Sequence, residues 1–326
     1  MASIICGVDV ASEWLDARVG RAGAVGRFAN TPDGLAKLAA FCREHGVELA
    51  AMEATGGYER LPFGLLWAEG VPAAVVNPRA VRRFAESVGV LEKTDRLDAG
   101  LIAWYAEVKR VAPRPPAGEA QQKLVALVRR LRQLTAALVA QRNQRRLVSD
   151  PDVLASVAAV AGALKAEVRA FEAKIAALIE ADPLWRELDE AFRAVEGVAG
   201  RTVSRLMAEL PEIGTLSGKA AASGIALAMP MLAGLAPIAR DSGKQQGKRR
   251  VRGGREGVRS ILYVVAELVR RHDPDFAAFH ARLTAAGKPK KAIRVALAHK
   301  LLTRLNAKAR DVRAKLERAQ ATPQPA

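Results

Sequence analysis

Three short apolar runs, Ile4–Val10, Trp14–Val19 and Gly26–Asn30, crowd the first thirty residues of the chain. The spacers between them are short, so Trp14–Val19 could return as a second strand beside the first and Gly26–Asn30 as a third. A sheet is therefore the starting point, and the following residues extend it. Thr31-Pro32-Asp33 opens an amphipathic helix with Leu35, Leu38, Ala39 and Phe41 at helical spacing. Val47–Met52 reads as a buried strand ending at Thr55-Gly56-Gly57, and Pro62–Glu69 as a helix. Ala73–Val76 reads as a strand ended by Asn77-Pro78, with a further helix over Asp95–Lys109. Three strands, then helix, strand, helix, strand, helix, predict an α/β domain with a hairpin-built start.

The prolines of Val111–Pro116 close that unit, and the composition then changes. From Gln121 to Ser149 there is no acidic residue, yet Lys123, Arg129, Arg130, Arg132, Arg142, Arg145 and Arg146 are basic. Leu124, Leu127, Leu131, Leu134 and Leu138 repeat at 3-4 spacing. After Asp150-Pro151-Asp152 a second stripe runs through Val153, Val157, Val160, Leu164, Val168, Phe171, Ile175 and Leu178. Two stripes around a Pro turn predict an antiparallel helical hairpin or coiled coil. Two ordinary core helices are the plainer alternative for the first stripe. Asp182-Pro183 ends this segment. The boundaries read from sequence are 1–112, 113–187 and 188–318, with a disordered tail at 319–326.

Charge narrows the function classes. Lys and Arg number 51 against 34 Asp and Glu, a net charge of +17 that calls for a polyanionic partner. Half the residues are hydrophobic, which excludes wholesale disorder. Cys6 and Cys42 make neither a disulfide framework nor a zinc pattern. Asp9, Glu13 and Asp16 interrupt the start, and the apolar run from Ile225 to Ile238 is short and holds two prolines. No signal segment or membrane span is expected, and a cytoplasmic, nucleoid-associated setting is.

Carboxylates punctuate the first domain at suggestive places. Asp9 lies near the end of the first strand and Glu53 at the end of the fourth; Asp95 and Asp98 lie on one face at a helix start. Gathered at one sheet edge, such groups repel unless a cation neutralises them. Oxygen-only donors suit Mg²⁺ or Mn²⁺, which can clamp a scissile phosphate. Singly, each acid also has a structural reading: Asp95 and Asp98 as a helix cap, Glu53 as a turn residue. Asp16, Glu59 and Glu92 stand close enough to compete for the role.

The second half carries phosphate-binding signals. Val195-Glu196-Gly197-Val198-Ala199-Gly200, followed by Thr202, Val203 and Leu206, reads as a helix-hairpin-helix or as a plain helix turn. Gly234-Leu235-Ala236-Pro237 leads to Asp241-Ser242-Gly243 and a basic, glycine-containing loop with Lys244, Lys248, Arg249, Arg250, Arg252 and Arg255. Glycine there lets the backbone approach a phosphodiester. Ser242 is a hydroxyl centred in that field, and a serine nucleophile needs a base or a metal. His45, His272, His280 and His299 are scattered, so no Ser–His–Asp arrangement is visible. Lys288, Lys290, Lys291, Arg294, Lys300 and Arg304 make a further basic helix.

The ordered set of these motifs resembles the transposases of the insertion sequence 110 family, the DEDD recombinases, including the insertion sequence 1111 group. The resemblance covers nearly the whole chain. It rests on Gly7-Val8-Asp9, Glu53-Ala54-Thr55-Gly56-Gly57-Tyr58, Lys93-Thr94-Asp95-Arg96-Leu97-Asp98-Ala99, Gly234-Leu235-Ala236-Pro237, Asp241-Ser242-Gly243, Arg252-Gly253-Gly254-Arg255 and Ala286-Gly287-Lys288-Pro289-Lys290-Lys291. It implies an α/β RuvC-like (ribonuclease H-like) N-terminal domain, a helical coiled-coil middle and a mainly α C-terminal domain with a helix-hairpin-helix-like element. It further implies a Mg²⁺ (or Mn²⁺) site on Asp9, Glu53, Asp95 and Asp98 and a serine nucleophile at Ser242. The implied partners are double-stranded DNA, a structured noncoding guide RNA and further copies of the chain, a dimer assembling to a tetramer. The 214–233 stretch reads longer and more irregular than the family pattern. A water-using RuvC-like nuclease and an inactive nucleic-acid-binding scaffold are the alternatives.

Overall fold

The computed structural model describes residues 3–90, 95–215, 232–238, 241–242, 245–247 and 250–321. The chain divides into two compact units, 1–118 and 119–326. In the first, β1 (Ile5–Val10), β2 (Trp14–Val19), β3 (Val25–Ala29), β4 (Leu49–Glu53) and β5 (Ala73–Val76) form one mixed sheet in the order β3-β2-β1-β4-β5. The three N-terminal strands are antiparallel, while β1, β4 and β5 run parallel. The crossovers are α1 (Pro32–Glu44) and α2 (Arg60–Ala68).

Strand alternation sends side chains to two cores. Cys6, Val8, Val10, Leu15, Ala50 and Met52 pack with Leu35, Leu38, Cys42 and Leu66 of α1 and α2. Ile5, Leu49, Ala51, Ala74 and Val76 pack on the other face with α3 (Pro78–Ser87) and α4 (Asp95–Lys109), through Val81, Ala85, Ile102 and Ala106. This mixed sheet with helices on both faces is the arrangement expected of a ribonuclease H-like domain.

The helix α3 is an addition to the elements expected from sequence. Asn77-Pro78 ends a strand and also begins a helix: the Asn77 carboxamide oxygen accepts the Arg79 N–H at 2.9 Å, with Pro78 in the first turn. The same polar-residue-then-proline start recurs at Thr31-Pro32, Asp150-Pro151, Asp182-Pro183 and Asp273-Pro274.

In the second unit, α5 (Glu119–Arg145) and α6 (Pro151–Glu180) pack along each other as a helical hairpin. Leu124, Val128, Leu131 and Leu134 of α5 and Val168, Ile175 and Ile179 of α6 join one continuous core with everything that follows. That core takes in α7 (Pro183–Arg193), α8 (Gly200–Glu209), α9 (Glu256–His272), α10 (Pro274–Ala285) and α11 (Lys290–Ala321). Residues 319–321 of the expected tail are thus the end of α11, and 322–326 lie outside the described residues. So does most of the irregular 214–233 stretch, namely 216–231.

Between α8 and α9 the expected loop is a small ribbon. β6 (Pro237–Ile238) pairs with β9 (Arg250–Val251), and β7 (Asp241–Ser242) with β8 (Gln245–Gln246), both antiparallel. No helix among the described residues is long and apolar enough to cross a membrane.

Candidate functional site

Two of the acids, Asp9 and Glu53, lie at the edge where the parallel strands end. Val8 pairs with Met52 across β1 and β4, so Asp9 and Glu53 each follow one residue later, level with each other. Alternation puts both on the face opposite Val8 and Met52, which is the face α4 covers. Glycine at position 7 brings that helix in. A Cβ on Gly7 would lie 1.8 Å from the Ala99 carbonyl oxygen and 2.6 Å from the Ala103 nitrogen. Only glycine lets α4 lie this close to β1, with Asp98 one residue before the contact. Asp95 is the first residue of α4, and its side chain lies outside the described part.

Two competing acids are committed elsewhere. Asp16 stands opposite Asp9 in the β1–β2 ladder, but its carboxylate is bridged twice by Arg27, at 2.8 Å each. Glu59 closes the loop after Glu53: its Oε2 accepts the N–H groups of Thr55 (3.1 Å) and Gly57 (2.7 Å) and the Thr55 hydroxyl (3.2 Å). Burial alone would raise the Glu59 carboxyl, but donation from its own N–H and from Gly57 and Thr55 outweighs it and holds the group below its ordinary value. The sequence offered a signal for this role, a glutamate just beyond Thr55-Gly56-Gly57. Glu92 lies outside the described residues.

Asp9, Glu53 and Asp98 are half-buried, and each has a partner within the structure. Among the described residues no three His, Cys, Asp or Glu side chains gather closely enough to hold a metal ion. The donor set at this edge is nonetheless all carboxylate, the chemistry of a hard divalent cation.

Ser242 is exposed on β7, paired with Gln245 near the far end of the ribbon. The ribbon's base is fixed firmly. Gly234 adopts φ +68°, and a Cβ there would fall 2.2 Å from the Gly253 carbonyl oxygen. Arg255 forms two 2.6 Å bonds to the Glu212 carboxylate, its N–H donates to the Leu232 carbonyl at 2.7 Å, and Arg259 donates to the Gly253 carbonyl at 2.7 Å. Arg255 therefore has a structural task that sequence did not reveal. β6, β9, α10 and α11 also border a groove of about 1100 Å³, lined by Pro237, Val251, Phe279, Val295 and His299 among others.

The basic candidates fall on three surfaces. Arg129, Arg130, Arg142, Arg145 and Arg146 are all exposed along α5 and just beyond it. Arg250 and Arg252 are exposed at the ribbon, whereas Lys244, Lys248 and Arg249 lie outside the described residues. Lys290 and Lys291 are exposed in the first turn of α11, which contains no acid. Gly197 sits in the α7–α8 turn at φ +91°, where a Cβ would meet the Val269 nitrogen of α9 at 2.9 Å. Helix packing thus requires this glycine whether or not a phosphate approaches.

Comparison with known proteins finds transposases and gene-inverting proteins. A transposase profile of the DEDD, IS110 type matches residues 6–148. A second, described as transposase of the IS116/IS110/IS902 family, matches residues 189–281. The chain is 26% identical over 293 residues to the pilin gene-inverting protein of Moraxella lacunata, covering 85% of each. It is 27% identical over 293 residues to that of Moraxella bovis, with the same coverage.

Proposed function

The chain belongs to the IS110-type transposase family, whose members cut and rejoin DNA, and from that premise we propose a two-centre strand-transfer enzyme. The acidic edge of the first unit and Ser242 of the second together break and reseal phosphodiesters. The observation that carries the reading is the level placement of Asp9 and Glu53 on adjacent parallel strands, with α4 drawn onto that face by Gly7. Asp9, Glu53, Asp95 and Asp98 would hold Mg²⁺ or Mn²⁺, which supplies positive charge at a non-bridging phosphate oxygen.

Ser242 is the nucleophile. Its Oγ bonds to phosphorus as the bond from phosphorus to the departing strand breaks, and the serine proton leaves to solvent or to the departing hydroxyl. A phosphodiester is exchanged for a phosphoserine ester, so the step is close to energy-neutral. No nucleotide hydrolysis is required, and the sequence has no P-loop pattern. Attack by a second strand's hydroxyl reverses the exchange and rejoins DNA.

The exposed arginines of α5, with Arg250 and Arg252, track backbone phosphates. Lys290 and Lys291 support the same role: cations at a helix N-terminus oppose the helix dipole, and a bound phosphate there relieves both. Double-stranded DNA is the substrate, a structured noncoding RNA from the same element guides it, and a dimer assembling to a tetramer carries out the exchange on nucleoid DNA in the cytoplasm. The α5–α6 hairpin serves as the coiled coil of that assembly, and the α7–α8 turn as a helix-hairpin-helix.

Covalent trapping tests the reading. Wild-type protein with supercoiled donor, cognate RNA and Mg²⁺ should yield a protein–DNA adduct mapping to Ser242, absent from Ser242→Ala. Asp9→Ala should abolish cleavage and leave RNA binding nearly intact. Metal-dependent nicking without any adduct would instead mark a water-using nuclease.

A further inference from the structure

Resting on that reading of the acidic edge, we propose that Trp14 and Tyr58, with Arg60 and Arg79, form a binding surface for an unpaired polynucleotide strand beside Asp9 and Glu53. The chain holds 5% aromatic residues, and its other tryptophans have work inside the fold. The Trp67 indole donates to the Ala73 carbonyl at 3.1 Å, Trp185 is buried in the core, and Trp104 lies under the Arg21 guanidinium at 4.0 Å. Trp14 is 48% exposed and Tyr58 56%.

Topology brings both to the carboxylate edge. β1 leaves that edge after Val10, and β2 returns at Trp14, since Val10 pairs with Leu15. Leu15 and Ala17 are buried on the α1 side, so alternation puts Trp14 on the face of Asp9. Tyr58 lies on the loop that follows Glu53, on the other side of β1. That loop is fixed by the Glu59 carboxylate and by the Arg60 N–H donating to the Gly57 carbonyl at 3.3 Å. Tyr58 is thus presented on ordered backbone, and little ordering cost remains for binding. The space above Gly56 and Gly57 is open.

Beside its carboxylates, the same edge carries cations that a nucleic acid strand can use for its phosphates. α2 and α3 both start from loops leaving it, and neither has an acid in its first turn. Each has an arginine there instead, Arg60 and Arg79. Aromatic faces flanked by cations suit stacked bases with their phosphates alongside. A base must leave its duplex stack to use such a face, so an unpaired strand fits and an intact duplex does not.

The test uses full-length wild-type, Trp14→Ala, Tyr58→Ala and Trp14→Phe proteins, checked for unchanged thermal melting. A dye-labelled oligothymidine and a duplex of equal length are titrated by fluorescence anisotropy. Each alanine variant should bind the oligothymidine about tenfold more weakly. Trp14→Phe should stay near wild type, and duplex binding should move less than twofold. Oligothymidine should also quench tryptophan emission in the wild type more than in Trp14→Phe. Equal affinity of both alanine variants and wild type for the single strand would overturn the proposal, as would equal losses on single strand and duplex. Asp9→Asn, assayed in parallel, separates the two claims. If it alone loses cleavage while the aromatic variants bind normally, only this surface falls; if it cleaves as wild type does, the reading of the acids falls.

Discussion

Gly7→Ala is the smallest change that reaches the centre of the account. The added methyl would start 1.8 Å from the Ala99 carbonyl oxygen and 2.6 Å from the Ala103 nitrogen, both backbone atoms of α4. No rotamer can yield, so the helix or the strand must move by more than about 1 Å in a close-packed interior. Overpacking of this kind costs about 1–3 kcal/mol, and a backbone collision belongs at the upper end. For a unit of this size that lowers the melting temperature by roughly 5–15 °C. The same movement shifts Asp98, one residue before the contact, and in the proposed site a misplacement near 1 Å is worth about a hundredfold in rate. The assay is a thermal melt paired with the initial rate of Mg²⁺-dependent nicking of supercoiled donor. Gly64→Ala is the control: it lies in α2 with nothing near its added methyl, and should gain up to about 1 kcal/mol. A Gly7→Ala protein that melts with the wild type and nicks at its rate would refute the packing of α4 on β1.

Three further outcomes follow from the second unit. Arg255→Ala strips the cation from Glu212; with the two side chains 38% and 31% exposed, the loss should be about 1–2 kcal/mol by urea denaturation, with Arg255→Lys restoring only part. Gly197→Ala places a side chain at φ +91° against the α9 backbone, so it should cost about 2–3 kcal/mol; intact stability with weakened nucleic-acid binding would instead assign the glycine to phosphate contact. Burial lowers the His299 pKa, so the folded protein takes up a proton less readily than the unfolded chain. Its contribution is complete above the unfolded value of about 6.5 and declines as pH falls below it; melting points measured down to about pH 5.5 should show that loss, and His299→Gln should flatten it.

Much of the first unit was legible because its signals are local. β-branched runs, short spacers and helical spacing place β1, β2, β4 and β5 within a residue or two of their observed bounds, and the start of α1 as well. The helix α3 was not, because Asn77-Pro78 both stops a strand and caps a helix, and half the residues that fill it are charged or polar. The ribbon around Ser242 read as a loop because its strands are two residues long, too short to show alternation. Its order comes from non-local contacts, Gly234 against Gly253 and Arg255 with Glu212. The hairpin read as separate from the last third because prolines bracket it, yet Leu124 and Val168 share a core with Leu206 and Leu301. For the site, sequence singled out the acids, but only ladder register puts Asp9 level with Glu53, and only geometry shows Asp16 and Glu59 engaged with Arg27 and the Thr55–Gly57 amides.

Anomalous scattering from Mn²⁺ in crystals of the full chain bound to DNA would locate the metal at the acidic edge. The expected result is a peak coordinated by the Asp9 and Glu53 carboxylates, with an α4 aspartate completing it, that disappears in Asp9→Asn. A peak held by other residues, or Asp9 and Glu53 turned away from every bound ion at millimolar Mn²⁺, would contradict it.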